Sequence, residues 1–301
     1  MRTRVCGGSD NPPYAAGVRR AAAVLTASAL LLAGCGGTDP AAAPASATAT
    51  SARTTSAVPS TAGPSTAAPT TDAPPTTTPA PTTPAAPAPV VVLDPGHNGG
   101  NAANPGAINA PVPDGTGGTK PCNTTGTSTD AGYPEHAFTW DTALRVRDLL
   151  TAAGVQVVLT RDDDTGVGPC VDVRGQLGAQ VGAAAFVGIH GDGAAPGGRG
   201  FHVITSSIDP GGAAVATATQ QLALALRDSL IAVEPVSDYL GSDGLDSRGD
   251  LAGLNLNTVP AVYVECGNMR NAADAAAMSS EAGRQAFAEQ LAAGVLTYLG
   301  R

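Results

Sequence analysis

The chain contains four histidines, at positions 97, 136, 190 and 202. Two of them end apolar runs on small-residue loops. Val90-Val91-Val92-Leu93 stops at Asp94-Pro95-Gly96-His97, and "AAAFVGI" stops at His190-Gly191. A third apolar run, "AVYV", stops at Glu265. Imidazoles and carboxylates gathered at strand ends suit a hydrolytic zinc site. Such a site uses three His or carboxylate ligands, leaves a position for water, and lowers that water's pKa to about 7. A separate carboxylate must then accept and return the proton. The third ligand is less plain. "YPEHAFTW" places Glu135 at a helix start after Pro134, where a carboxylate is also favoured by the helix dipole. Spacing alone leaves His136 as an alternative.

The elements that must position these groups alternate along the chain. Val90 to Asp94 is a continuous apolar run, as in a strand covered on both faces. Glu135 to Ala153 reads as a helix stopped by Gly154. "VQVVLTR" from Val155 reads as a strand, Val171 to Gly182 as a short helix, and "AAAFVGIH" as a strand ending at His190. "GFHVITS" is a further strand, Ala213 to Leu230 a long helix, "AVYVE" a strand ending at Glu265, and Ser280 to Leu299 a closing helix. This alternation predicts a single α/β domain: a mostly parallel twisted sheet flanked by helices on both faces. Sites in such sheets lie beyond the carboxyl ends of the strands, where His97, His190 and Glu265 would converge.

The domain is expected to span residues 90–301, because what precedes it has no core-forming pattern. Arg19-Arg20 and the apolar run Ala21 to Ala33 have the length of a signal-peptide core and are too short to span a bilayer. "LLAGC", Leu31 to Cys35, resembles a bacterial lipobox, in which Cys35 is lipidated. Residues 1–35 therefore read as a leader. Residues 36–89, almost all Ala, Pro, Thr, Ser and Gly, read as a disordered tether. Its ~54 residues would span roughly 40 Å on average. The expected location is the cell envelope, facing the wall, with membrane contact only through the lipidated N-terminus. Residues 90–301 carry 22 acidic and 11 basic residues, which argues against nucleic acid as a partner. In an exported protein, Cys122 in "KPCNTTGT" and Cys170 in "GPCVDVRG" are candidates for a disulfide. Cys266 reads as a lone core thiol.

"LDPGHNGG", then "PEHAF" opening a helix, then "GIHGDG", then "VYVECGNMRN" resemble the zinc-dependent N-acetylmuramoyl-L-alanine amidases of the Amidase_3 family, nearest the actinobacterial cell-wall type. The likeness covers residues 90–299 and includes the "CNTTGT" and "GPCVD" segments, which carry a disulfide in similar proteins. It implies one Zn2+ held by His97, Glu135 and His190, with Glu265 as the catalytic carboxylate. It implies hydrolysis of the amide between N-acetylmuramic acid and L-alanine, with peptidoglycan or muropeptides as substrate. It also places Arg248 near the substrate groove, facing a stem-peptide carboxylate. Two other readings use the same residues: a non-catalytic wall-binding lipoprotein, or a zinc peptidase cutting within the stem peptide. A complete ligand and acid/base set favours the amidase. A monomer is the default expectation.

The remaining candidates have plainer readings. His136 lies on the surface or beside the site, since helix neighbours point about 100° apart. His202 is a packed or hydrogen-bonded strand residue. "RDDD", Arg161 to Asp164, is a solvated turn, Trp140 a core residue, and Gly99 to Gly132 a hairpin beside the cleft.

Overall fold

The computed structural model describes residues 87–301. The leader, Cys35 and residues 36–86 of the tether lie outside the described residues. The strands are β1 (Val90–Pro95), β2 (Pro111–Pro113), β3 (Thr119–Pro121), β4 (Gln156–Leu159), β5 (Ala185–Asp192), β6 (His202–Ser206), β7 (Leu245–Arg248) and β8 (Ala261–Asn268). The helices are α1 (Pro105–Ile108), α2 (Glu135–Ala152), α3 (Val171–Gln180), α4 (Ala213–Leu230), α5 (Ala252–Asn255), α6 (Ala272–Ser279) and α7 (Glu281–Tyr298). Six strands form one sheet in the order β4-β1-β5-β8-β6-β7, and β2 and β3 form a separate hairpin. Neighbours are parallel except β6 with β8. The expected α/β architecture is what is found.

Period-two alternation distributes the apolar residues between two layers of unequal size. Val91 and Leu93 of β1, Val187 and Ile189 of β5, and Val262, Val264 and Cys266 of β8 enter the larger cluster. Phe138 and Leu150 of α2, Leu222 and Leu226 of α4, and Phe287 and Leu291 of α7 meet them there. Each large apolar side chain so buried contributes about 1.5–3 kcal/mol. The alternate residues, Val92, Phe186, Ile204 and Tyr263, form a smaller cluster with Leu254 of α5, and Leu177 of α3 packs against it. The unbroken "VVVL" run is thus explained by cover on both faces.

The same alternation sets the site. Asp94 follows Val92 on the face of the smaller cluster, His190 follows Phe186 and Gly188, and Glu265 follows Tyr263. Register aligns them: Glu265 pairs with His190 of β5 on one side and with His202 of β6 on the other. The small layer stops short of the strand ends, and the polar residues begin where it stops.

Several boundaries differ from expectation. β5 runs on to Asp192 and β8 to Asn268, so His190 and Glu265 lie within strands rather than at their last residues. Here polar residues continue the ladder. α3 ends at Gln180, before Gly182, whose φ is +62°. Ser280 stands outside α7 as its cap, its side chain accepting from Gly283 N–H. Cys122 and Cys170 are joined as a disulfide, and Cys266 is buried and free. Among the described residues, no helix is long and apolar enough to cross a membrane.

Candidate metal centre

His97 stands on the turn after β1 with φ 60°, a left-handed conformation uncommon outside glycine. Neighbouring groups hold it there. Pro95 O accepts from Arg161 Nε at 3.0 Å and from Arg174 Nη1 at 2.9 Å. Gly96 N–H donates to Ile189 O, and Gly96 O accepts from Thr139 Oγ1 at 2.8 Å. His97 O accepts from Arg174 Nη2 at 2.9 Å. The imidazole Nδ1 lies 3.1 Å from Thr124 O, an acceptor only, so Nδ1 carries the hydrogen and Nε2 is free to face inward.

Glu135 opens α2, 3% exposed, and its carboxylate is the hub. Oε1 lies 3.0 Å from His97 Nε2, 3.1 Å from His190 Nδ1 and 3.2 Å from Gly191 N–H. Oε2 accepts from Thr127 N–H at 2.9 Å. Burial works to raise the pKa of Glu135. The imidazoles of His97 and His190 outweigh it and hold the carboxyl well below the usual range. Burial likewise works to lower His97, and the Glu135 carboxylate overrides it and raises the ring.

His97, Glu135 and His190 offer one ligand atom each, all within 4.8 Å of one another. Two imidazoles and a carboxylate are a known donor set of hydrolytic zinc sites. The inward Nε2, fixed by the bond at Nδ1, is the arrangement ligating histidines show. The residues therefore fit a small divalent cation. Glycine makes the approach feasible at two points. A Cβ on Gly96 would fall 2.3 Å from His190 Cε1, and one on Gly126 (φ +75°) would fall 2.8 Å from Glu135 Oε2.

Glu265 shares the cleft, which encloses about 370 Å³. Its Oε2 is buried without a hydrogen-bond partner. Burial, then the nearby carboxylates of Glu135 and Asp192, push its pKa well above the ordinary value. An unpaired buried carboxyl beside a ligand cluster can exchange a proton with a bound molecule.

Other expectations fare variously. His136 does not join the cluster; its Nδ1 bonds Asp164 Oδ2 at 2.7 Å. "RDDD" is a turn solvated only in part: Asp162 and Asp163 are exposed, but Arg161 is 2% exposed and Asp164 receives Arg161 Nη1 and Gly99 N–H. Trp140 is half-buried with the Arg161 guanidinium 4.7 Å above its ring, so it is not core. His202 is packed as expected, its Nδ1 without a partner. Arg248 does not line the cleft; its guanidinium is taken up bidentately by Asp250. The cations that do line the cleft are Lys120, on the hairpin, and Arg174. Neither these nor Asp94, Thr124 and Arg161 announced themselves in the sequence.

A family model described as N-acetylmuramoyl-L-alanine amidase (Amidase_3) matches residues 91–297. The curated N-acetylmuramoyl-L-alanine amidase Rv3717 of Mycobacterium tuberculosis is 49% identical over 211 residues, which are 70% of this chain and 86% of the relative. The crystal structure of the amidase Ami1 from Mycobacterium smegmatis is 49% identical with a TM-score of 0.68, covering 71% of this chain and 98% of that one. The amidase AmiC2 of Nostoc punctiforme is 26% identical with a TM-score of 0.54, over 71% and 98% of the two chains.

Proposed function

The chain belongs to the Amidase_3 family of N-acetylmuramoyl-L-alanine amidases and is a peptidoglycan amidase; from that premise we propose that His97, Glu135 and His190 hold one Zn2+ and that Glu265 is its catalytic acid/base. The observation that carries this reading is the convergence of three ligand atoms within 4.8 Å, in a cleft that also contains Glu265. The bond cleaved joins the lactyl carbonyl of N-acetylmuramic acid to the nitrogen of L-alanine. When bound, Zn2+ supplies Lewis-acid polarisation of that carbonyl and lowers the pKa of water beside it.

The chain's own residues do the rest. His97 and His190 present one nitrogen each, and Glu135 presents Oε1. Thr127 and Gly191 N–H groups fix that carboxylate, so the ligands are set before substrate arrives. Glu265 Oε2 takes a proton from the attacking water and returns it to the alanine nitrogen as the C–N bond breaks. Its Oε2 has no hydrogen-bond partner of its own in the cleft, so it is free to carry the proton between the two. Products are the glycan lactyl carboxylate and a stem peptide with a free N-terminus. Nothing in this chemistry needs a nucleophilic Ser or Cys.

The wider arrangement follows from the sequence. Cys35 is the lipidated first residue of the mature protein, residues 36–89 are its tether, and residues 90–301 are the catalytic domain, acting as a monomer on the wall or on muropeptides.

The test compares the wild type with Glu265→Gln on muramyl dipeptide and larger muropeptides, with and without a chelator, products being identified by mass. Expected is release of peptide beginning at L-alanine, lost on chelation. Glu265→Gln should lower the rate roughly 10²–10⁴-fold while metal content stays at one ion. Cleavage between peptide residues, or undiminished turnover after chelation, would overturn the assignment.

A further inference from the structure

Of the three ligands, Glu135 belongs to α2 and His190 to β5, where ladders of backbone hydrogen bonds set their positions. His97 has no such support. It sits on a turn in a left-handed conformation. Ile189, Thr139 and Arg161 bond the preceding Pro95-Gly96, and its Nε2 contacts Glu135. Beyond these, its own carbonyl and Nδ1 are held by two segments distant in sequence, a loop and the start of α3. The loop follows Cys122: Thr124 O accepts from His97 Nδ1, and Asn101 Nδ2 steadies the same carbonyl at 2.7 Å. The start of α3 follows Cys170. There Arg174 donates from Nε to Pro169 O, from Nη1 to Asp94 Oδ1 and Pro95 O, and from Nη2 to His97 O. The loop and the start of α3 are joined twice, by the Cys122–Cys170 disulfide and by Val171 N–H donating to Cys122 O at 2.8 Å.

We propose that Arg174 and the Cys122–Thr124 segment, cross-linked through Cys122–Cys170, form a clasp that positions His97, so that the disulfide and Arg174 set how tightly the enzyme retains its metal. The inference rests on the metal reading of the triad given above. Arg174 and Thr124 are positioning residues here, since they reach the metal only through His97. Loss of such support typically weakens metal binding about 10–100-fold. The guanidinium fork is needed because one side chain must serve three carbonyls and a carboxylate at once, which an ammonium cannot do.

The experiment uses the full chain carrying Cys6→Ala and Cys35→Ala, so that no thiol outside the fold competes for metal. Zn2+ affinity is measured by competition with a chromophoric chelator, and Co2+ loading is followed by its d–d absorption. Cys122→Ser/Cys170→Ser, Arg174→Lys and Asn101→Ala are compared well below their melting temperatures, with far-ultraviolet circular dichroism confirming the fold. Should the double serine variant not fold, the other two carry the test. Expected is Zn2+ binding about 10–100-fold weaker, an altered Co2+ spectrum, and no further weakening when the same changes are made in a His97→Ala background. Folded variants that bind like the wild type, or effects that persist without His97, overturn the clasp alone. A wild-type chain that takes up no Zn2+ overturns the metal reading and the clasp with it.

Discussion

Replacing Gly96 by alanine tests whether the site is as tightly built as its distances indicate. The new Cβ would lie 2.3, 2.5 and 2.8 Å from His190 Cε1, Nδ1 and Nε2, where ordinary contact begins at 3.4 Å. The ring must therefore retreat by about 1 Å, a displacement of the size that costs roughly 10²-fold in rate when it misplaces a reacting group. His190 Nδ1 starts 3.1 Å from Glu135 Oε1, so the retreat pulls one ligand out of the triad. Crowding of this kind costs about 1–3 kcal/mol, or roughly 2–12 °C in Tm for a domain this large. The assay is kcat/KM for muropeptide cleavage, with Zn2+ affinity and calorimetric Tm measured alongside. Gly106→Ala is the control: nothing lies within 4 Å of its Cβ, and such surface changes stay within about 0.5 kcal/mol. If Gly96→Ala keeps wild-type kcat/KM and metal affinity, His190 is not held where these distances put it, and its role as a fixed ligand fails.

Three further outcomes follow from groups around the site and beneath it. Asp94→Ala leaves Arg174, 2% exposed, without its 3.0 Å carboxylate partner; unfolding in urea should show a loss of about 3–5 kcal/mol, the usual cost of stranding a buried charge. Glu234 is 4% exposed, and burial pushes its pKa up to about 7 from the usual 4.5. The folded state thus keeps a proton that the unfolded chain releases, and stability falls as pH rises from about 4.5 through about 7, by up to ~3 kcal/mol. Glu234→Gln should flatten that slope, and parallel pH profiles for the two proteins would refute the assignment. Cys266 is fully buried with its thiol pushed well above the ordinary pKa. It should resist alkylation in the native protein and react only in denaturant, and rapid native labelling would place it elsewhere.

The sequence made most of the sheet legible because β1, β4, β5, β6 and β8 are built on short apolar runs beside glycine or proline, and the four strand and helix motifs carried His97, Glu135, His190 and Glu265 with them. What it hid is instructive. β7, Leu-Asp-Ser-Arg, is a short polar edge strand of the sort sheets use at their margins, so no apolar alternation betrays it. α6 was detectable: Asn271 caps it by accepting from Ala273 and Asp274 N–H groups, and the Asn-x-x-Asp spacing is visible in the sequence. Arg161, Arg174 and Thr124 were not detectable, because the two arginines act on backbone carbonyls of the Pro95–His97 turn and Thr124 acts through its own carbonyl on the His97 ring. A carbonyl has no residue type, and no spacing rule links positions 124 and 174 to 97. Arg248 stands off the cleft lining, paired with Asp250, while its charge still bears on Glu265.

The two layers of the sheet differ in more than size. The thick layer beneath α2, α4 and α7 contains most of the large buried side chains, whereas the thin layer beneath α3 and α5 gives way to His190 and Glu265 along β5 and β8. Most of the chemistry therefore lies on the side away from the bulk of the core, with Glu135 reaching it from the first residue of α2. Sequence drift in the thick layer away from that end of α2 can raise or lower the working temperature of the enzyme with little effect on its cleft. Changes on the thin side reach the cleft through a single shell of side chains. An engineer seeking a more durable wall-cutting enzyme would repack around Leu226, Phe287 and Leu291, and leave Leu254 and Tyr263 alone.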